Sequence, residues 1–310
     1  MKKALLFTLL SLFALISYGQ EITIDVTKPG TLSSLIGDKK YNISNLIIKG
    51  SLNGDDIITL RDMAGITKGG SPSKGRLSNL DLSETSIVSG GNSYMYDYGS
   101  YEQYYTKQDT LNTYSFYNCP ALEIITLPKT LKAVEKMVFT FCKKISLIEI
   151  PASVTSISAS AFNYCTRLEN INVADDNPYY KSVDGVLFNK SMTEILRYPL
   201  YKKGAYEIPQ TVIVVGEYAF HLSTGLTEVV LPSTLKDIKK CGFFNCSKLT
   251  ELYLPSKVET IGNSAFGSCA NLSKIVMSNG ITSLGNWCFA GCIYNHRTTK
   301  TNQKYPSVNL

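Results

Sequence analysis

The chain has 310 residues, 44% hydrophobic and 18% charged, with a formal net charge of +6. That supplies enough apolar side chain for a continuous core and excludes a disordered, highly charged polymer. The cationic excess is small and forms no block, so nothing here reads as a nucleic-acid binder.

Residues 1–19 read as a signal peptide. Lys2 and Lys3 give a basic start, residues 4–16 an apolar stretch, and Ser17, Tyr18 and Gly19 a small-residue cleavage site before Gln20. The apolar stretch is short for a bilayer span and no second one follows, so no membrane span is expected in the mature chain. Loss of the two lysines leaves +4. The first cysteine is Cys119, so a lipid-anchored N-terminal cysteine is not available. Secretion or display at the outer cell surface is expected.

Residues 20–76 read as an N-terminal cap. Residues 21–26 alternate polar and apolar, a strand. Pro29, Gly30 and Thr31 open a helix over 32–36, with Gly37 as its stop. Residues 43–48 make a second strand, and Asn53 caps a helix over about 54–64 that begins with Asp55 and Asp56 and ends at Gly65. Such a unit covers the exposed apolar end of whatever follows it. Residues 69–75 form a Gly/Ser/Pro/Lys loop without the G-K-[ST] ending of a phosphate-binding loop, so they read as a linker.

From residue 77 a repeat takes over. Leu77, Leu80 and Leu82 fit L-x-x-L-x-L, the strand signature of a leucine-rich repeat. Cys119, Cys142 and Cys165 are 23 apart, as are Cys246, Cys269 and Cys292. One coil can be followed in full: Phe243 and Cys246, then Leu249, Leu252 and Leu254 on a strand that Pro255 ends, then Val258 and Ile261 returning along the opposite wall. Leu252 and Leu254 share one face at period two and Tyr253 takes the other. A short fixed period means a solenoid, each coil burying its apolar face only against its neighbours.

This frame resembles the BspA-type leucine-rich repeat family of bacterial surface and secreted proteins. The resemblance rests on the Phe-x-x-Cys step, the L-x-x-I-x-L-P strand and the following V-x-x-I, as from Phe139 to Ile157, and it covers roughly residues 111–292. It implies a curved solenoid, a binding or adhesion role at the cell exterior, and no common catalytic residues. Ser223 departs from the pattern where Cys is expected, and Asn295 where Leu is expected. The expected fold is α/β leaning to mainly β: a leucine-rich-repeat solenoid of 23-residue coils over 77–292, a small α/β N-terminal cap, and a C-terminal tail over 293–310.

Two stretches break the frame. Residues 92–117 form a Tyr-rich insertion, with Gly and Ser among Tyr94, Tyr96, Tyr98, Tyr101, Tyr104, Tyr105, Tyr114 and Tyr117. They are too interspersed to suggest a strand or helix with one buried face. The composition suits a recognition loop, and equally a lid over the first coils. Residues 174–207 form an enlarged coil with a hairpin signal at Asp184 and Gly185. Asp175, Asp176 and Asn177 lack the spacing of a calcium loop and read as a solvated turn.

Catalytic chemistry is not expected, and the chain does not read as an enzyme. His221 and His296 have no partner that the sequence can place. The cysteines follow the structural period, not zinc-ligand spacing, so no metal and no cofactor is expected. In-register cysteines hold parallel Cβ vectors, a poor disulfide geometry, and buried thiols are expected. The strand's x positions face the concave side. The candidate ligand contacts are Glu123, Thr126, Glu228, Glu251 and Tyr253 there, with Tyr96, Tyr98, Tyr101 and Tyr104 of the insertion. The partner expected is an extracellular protein or glycan. The alternative is an enzyme or accessory subunit of a glycan-degrading system, which would gather carboxylates beside an aromatic groove.

Overall fold

The computed structural model describes residues 21–97, 99–277 and 279–293. The signal peptide, His296, nearly all of the tail and Tyr98 lie outside the described residues. The rest is a mainly β solenoid of about eleven turns.

The chain opens with β1 (Glu21–Val26), α1 (Leu32–Ile36), β2 (Asn45–Leu52), α2 (Gly54–Met63) and β3 (Asn79–Ile87). Asn53 Oδ1 accepts from Asp55 N–H at 3.0 Å, and Asp56 Oδ2 accepts from Asn53 N–H at 2.9 Å, a capping box at the start of α2. Asp56 is fully buried because its carboxylate also accepts from Gly30 and Leu32 N–H, at 2.6 and 3.0 Å. One side chain thus closes the first turns of both helices. β1, β2 and β3 pair in parallel and run straight on into the repeat strands β7 (Ile124–Thr126), β9 (Leu147–Ile150) and β11 (Asn170–Val173), giving one six-stranded sheet in the order β1-β2-β3-β7-β9-β11.

The Tyr-rich insertion holds β4 (Gly90–Asp97) and β5 (Glu102–Thr106), an antiparallel pair. Regular coils follow, with concave strands β7 (Ile124–Thr126), β9 (Leu147–Ile150) and β11 (Asn170–Val173), and a return wall of β6 (Thr110–Leu111), β8 (Ala133–Val134) and β10 (Ser156–Ile157). The turns between wall and concave strand form a third ladder: Phe116 N–H donates to Val138 O at 3.1 Å, and Phe139 N–H to Ala161 O at 2.9 Å. Inside, the rings of Phe116, Phe139 and Phe162 stack at 6.0 Å intervals. Burying one such side chain contributes about 1.5–3 kcal/mol, so the core grows with every coil. Each period cysteine after Cys119 reaches back one coil, as Cys142 Sγ does to Phe116 O at 3.0 Å.

The enlarged coil contains β12 (Tyr180–Val183), β13 (Val186–Asn189) and β14 (Glu194–Arg197). Asp184 and Gly185 turn the hairpin with φ of 50° and 73°, as Asp-Gly favours. β13 partitions the interior: Leu187 packs in the first apolar core, Val186 and Phe188 in the second. Asn177 is fully buried and structural. Its Nδ2 donates to Pro151 and Val154 O, and its Oδ1 accepts from Tyr179 and Tyr180 N–H. Beyond lie β15 (Gly204–Glu207), β16 (Val214–Val215), β17 (Leu226–Val230), β18 (Asp237–Ile238), β19 (Glu251–Tyr253), β20 (Thr260–Ile261), β21 (Lys274–Val276) and β22 (Ser283–Leu284). The concave side continues as the pairs β15–β17 and β19–β21, and the wall as β14-β16-β18-β20-β22.

Candidate ligand-binding surfaces

Parallel pairing sets concave side chains in rows, each coil adding one residue. One row runs Thr23, Ile47, Asp81, Thr126, Glu149 and Asn172, and a second runs Asn45, Asn79, Ile124, Leu147 and Asn170. Glu123 precedes β7 and pairs with Lys144 at 3.2 Å. Thr126 lines a cleft of about 310 Å³ at the C-terminal end of β3, β7, β9 and β11, with Ser83, Lys129, Glu149 and Asn172 around Ile150 and Val173. Ile124 stands 46% exposed beside Leu147 of the same row.

Farther along, Glu228 lies exposed on β17, and Glu251 and Tyr253 on β19. The Tyr253 hydroxyl donates to Glu251 Oε2 at 2.5 Å. Lys274 Nζ donates to Glu251 Oε2 at 3.0 Å and to the Tyr253 hydroxyl at 2.5 Å, and lies 4.9 Å from the ring centre. The Tyr253 hydrogen bond first, and Lys274 second, hold the Glu251 carboxyl below its ordinary range. The same contacts, Tyr253 again first, raise Lys274. A carboxylate so fixed in its ionised form is a hydrogen-bond acceptor and a poor general acid. Tyr253 remains 54% exposed, with Val230, one coil earlier, 43% exposed.

The insertion is a strand pair, contrary to the expectation that its tyrosines would form no regular element. The physical reason is a buried anchor: Tyr94 is fully buried, its hydroxyl donating to Thr113 O at 2.8 Å, and the exposed Asn92 side chain donates to Asp55 Oδ1 at 2.8 Å. The hairpin docks on α2, where a Cβ at Gly54 would come within 2.0 Å of Asn92 O, so only glycine fits. Tyr96 is half-buried. Tyr104 is half-buried too, donating to Glu102 Oε2 at 2.7 Å. Tyr101, at the tip, is 78% exposed at φ 62°. The hairpin therefore sits beside α2, whereas Glu123 and Thr126 belong to the β3-β7-β9 sheet. The structure gathers Thr126 into the cleft and Glu251 with Tyr253, and leaves Tyr96, Tyr101 and Tyr104 on the hairpin apart from both.

Two buried arginines were not foreseen. Arg61 Nη1 donates to Tyr114, Ser115 and Tyr117 O, at 2.8, 3.4 and 3.3 Å. Arg197 Nη1 donates to Asn163 Oδ1 and Tyr218 O, at 3.0 and 2.8 Å, and its Nη2 to Phe162 O at 3.2 Å. Phe162 O is the carbonyl that a cysteine of the next coil would have taken. Ser223, standing at the cysteine position after Phe220, is fully buried. His221 is buried between rings, and burial, helped by Arg197, lowers its pKa to about 4. All eight cysteines are free thiols, and burial pushes Cys165 up to about 12, which makes it inert. Among the described residues no group of His, Cys, Asp or Glu is placed to hold a metal ion, and no helix is long and apolar enough to cross a membrane.

The family model for the BspA type leucine-rich repeat region matches residues 92–200 and 193–307 in six copies. The chain belongs to the BspA-type leucine-rich repeat family. Proteins of this family are typically bacterial surface or secreted proteins, and the repeat is generally non-catalytic. Among solved structures, this BspA-type chain is similar in fold to a leucine-rich repeat protein from Eubacterium ventriosum ATCC 27560, with TM-score 0.52 and 16% identity over 90% of this chain and 91% of that one. It also aligns with the pneumococcal vaccine antigen PcpA, TM-score 0.47 and 19% identity over 81% and 69%. A leucine-rich cell surface protein from Faecalibacterium prausnitzii A2-165 aligns at TM-score 0.43 and 17% identity over 91% and 86%. No curated protein matches the chain.

Proposed function

We propose that this BspA-type chain is exported and works at the cell exterior as a binding or adhesion module, holding an extracellular protein or glycan on its concave face. The observation that carries this reading is the exposure of Ile124, Val230 and Tyr253 at concave positions that packing does not need filled. Apolar and aromatic side chains left open beside satisfied polar groups are the usual anchors of an interface. The cleft at Thr126 and Glu149 and the Glu251, Tyr253 and Lys274 cluster supply oriented polar contacts around them.

The test is a glycan and extracellular-protein binding screen with residues 20–310, repeated with Tyr253→Ser and Ile124→Ser. Binding that weakens at least tenfold in either variant, with the melting temperature kept, is expected. A ligand whose affinity neither variant changes would remove the concave face from the reading. Export is checked by the mass of protein in the culture medium, which should begin at Gln20.

A further inference from the structure

Each regular coil turns from wall to concave strand through Phe-x-x-Cys, with Ser223 once in the place of Cys, and the two x positions differ along the chain. They are Tyr117 and Asn118, Thr140 and Phe141, Asn163 and Tyr164, His221 and Leu222, Phe244 and Asn245, Gly267 and Ser268, then Ala290 and Gly291. The last two coils close the same turn and keep the same thiol link without any ring. Rings at these positions are therefore not required by the coil.

Five coils nevertheless supply one, and the rings touch in sequence. Tyr104 of the hairpin meets Tyr114 edge-on at 5.0 Å, Tyr114 meets Tyr117 at 5.1 Å, and Tyr117 meets Phe141 at 5.7 Å. Phe141 stacks on Tyr164 at 4.4 Å, Tyr164 meets His221 at 5.9 Å, and His221 stacks on Phe244 at 5.5 Å. The ribbon stops at Gly267, where a Cβ would press to 3.0 Å on the Phe244 ring. It is partly open to solvent, most of all at Tyr164, 37% exposed.

Two of its rings oppose backbone preference. Phe141 and Tyr164 hold φ of 65° and 58°, at the left-handed position filled by Asn118, Leu222, Asn245, Ser268 and Gly291 in other coils. Asn and Gly tolerate that conformation and bulky side chains do not, so aromatic residues there work against folding. Outliers of this kind cluster where a surface has work other than folding.

The ribbon is also neutral. Burial keeps His221 uncharged at neutral pH and raises Tyr114 and Tyr117, and the bond to Glu102 raises Tyr104 to about 12. At its hairpin end the buried Arg61 guanidinium bonds the Tyr114 and Tyr117 carbonyls, and the solvent-facing charges are carboxylates, Glu102 bonded to Tyr104 and Asp97 beside Tyr114. They repel polyanions and accept hydrogen bonds from hydroxyls. The coil-to-coil rise of about 4.8 Å is close to one sugar ring in an extended chain.

We propose that this lateral ribbon, from Tyr104 to Phe244, is a binding strip for a linear, uncharged polysaccharide laid along the solenoid axis. It rests on the binding reading above, and adds a ligand class and a second surface distinct from the concave face.

The test is affinity electrophoresis of residues 20–310 in gels containing barley β-glucan, xyloglucan, arabinoxylan or galactomannan, with dextran sulfate as the polyanion. Retardation by at least one neutral polymer and none by dextran sulfate is expected. Phe141→Asn, which installs the residue found at Asn118 and Asn245, should keep the melting temperature and weaken retardation at least tenfold, as should Tyr164→Ser. Tyr253→Ser should leave it unchanged. No retardation by any neutral polymer, or retardation unaffected by Phe141→Asn and Tyr164→Ser, overturns the strip. Loss with Tyr253→Ser alone overturns it too, and leaves the concave reading in place.

Discussion

Cys142 Sγ donates a hydrogen bond to the carbonyl oxygen of Phe116, 26 residues earlier and 3.0 Å away in the neighbouring coil. The link recurs from Cys165 to Phe139, Cys246 to Phe220, Cys269 to Phe243 and Cys292 to Phe266, at 3.1–3.2 Å. It gives the period cysteine two tasks, filling a small apolar space and satisfying a buried carbonyl. Cys142→Ala should therefore cost about 1–3 kcal/mol, the penalty of an orphaned buried acceptor. Cys241→Ala, half-buried and outside the 23-residue frame, should cost less than about 0.5 kcal/mol. Chemical denaturation compares them, and equal losses would remove the carbonyl from the explanation.

Arg197 takes over that duty in the enlarged coil, where Tyr201 stands at the cysteine position after Tyr198. Arg197→Met takes the guanidinium from Asn163 Oδ1 and from Phe162 and Tyr218 O, which keep only the N–H of Cys165 and of His221, and should destabilise by about 2–4 kcal/mol. Arg197→Lys should recover only part, because an ammonium cannot reach three acceptors in the guanidinium's planar fork. Lys239→Ala, which breaks a surface pair with Glu194 at 2.9 Å, should change stability by less than about 1 kcal/mol. A full rescue by lysine would show that charge alone matters at this site.

The 23-residue frame, the concave alternation, the Asp184 and Gly185 turn and the Asn53 cap were legible because each is a local pattern with one physical cause. The hairpin was misread because eight tyrosines drew attention to composition, although Tyr94, Tyr96 and Tyr98 alternate at period two and Gly99 and Ser100 follow as a turn. Arg61 and Arg197 stayed hidden because an arginine in a sequence reads as exposed, and their acceptors lie 21 to 56 residues away. The aromatic ribbon stayed hidden for a related reason. Its rings come from positions that vary from coil to coil, and only the stacking of coils brings Tyr164 to His221.

Leu252 and Tyr253 are adjacent and face opposite ways, one fully buried and the other open. Leu252→Ala should cost about 2–5 kcal/mol and Tyr253→Ala under about 0.5 kcal/mol. Thermal melts of the two variants decide it, and similar losses would mean the strand register is wrong.

His221 gives the fold a pH dependence of known sign. Its folded pKa, about 4, lies below the ordinary 6.5, so between those values the unfolded chain binds the proton and the native state does not. Its contribution is complete above about pH 6.5 and is lost as pH falls toward 4. The shift corresponds to about 3 kcal/mol at most. His221→Phe, which keeps a ring between Tyr164 and Phe244, should flatten the fall in stability between pH 7 and 4. An unchanged slope would assign the acid sensitivity to carboxylates instead.

The period cysteines should remain reduced in the exported protein, since all but the half-buried Cys292 are buried, and those from Cys142 onward are engaged with a carbonyl of the preceding coil. Titration of thiols after denaturation should find all eight. Fewer than four would contradict the thiol series.

The partition strand β13 bears on how such a chain changes length over evolutionary time. Between Cys246 and Cys292 every stacking, thiol and ladder partner of the core lies one coil away, so in-register duplication or loss of 23 codons leaves each core residue facing a chemically equivalent neighbour. The enlarged coil has no such equivalence. Leu187 belongs to one core and Phe188 to the other, and Arg197 joins residues 35 before and 21 after it. Unequal crossing-over is thereby tolerated on either side of this joint and selected against across it. Relatives of different length should differ by whole coils in one array or the other, with the joint itself retained.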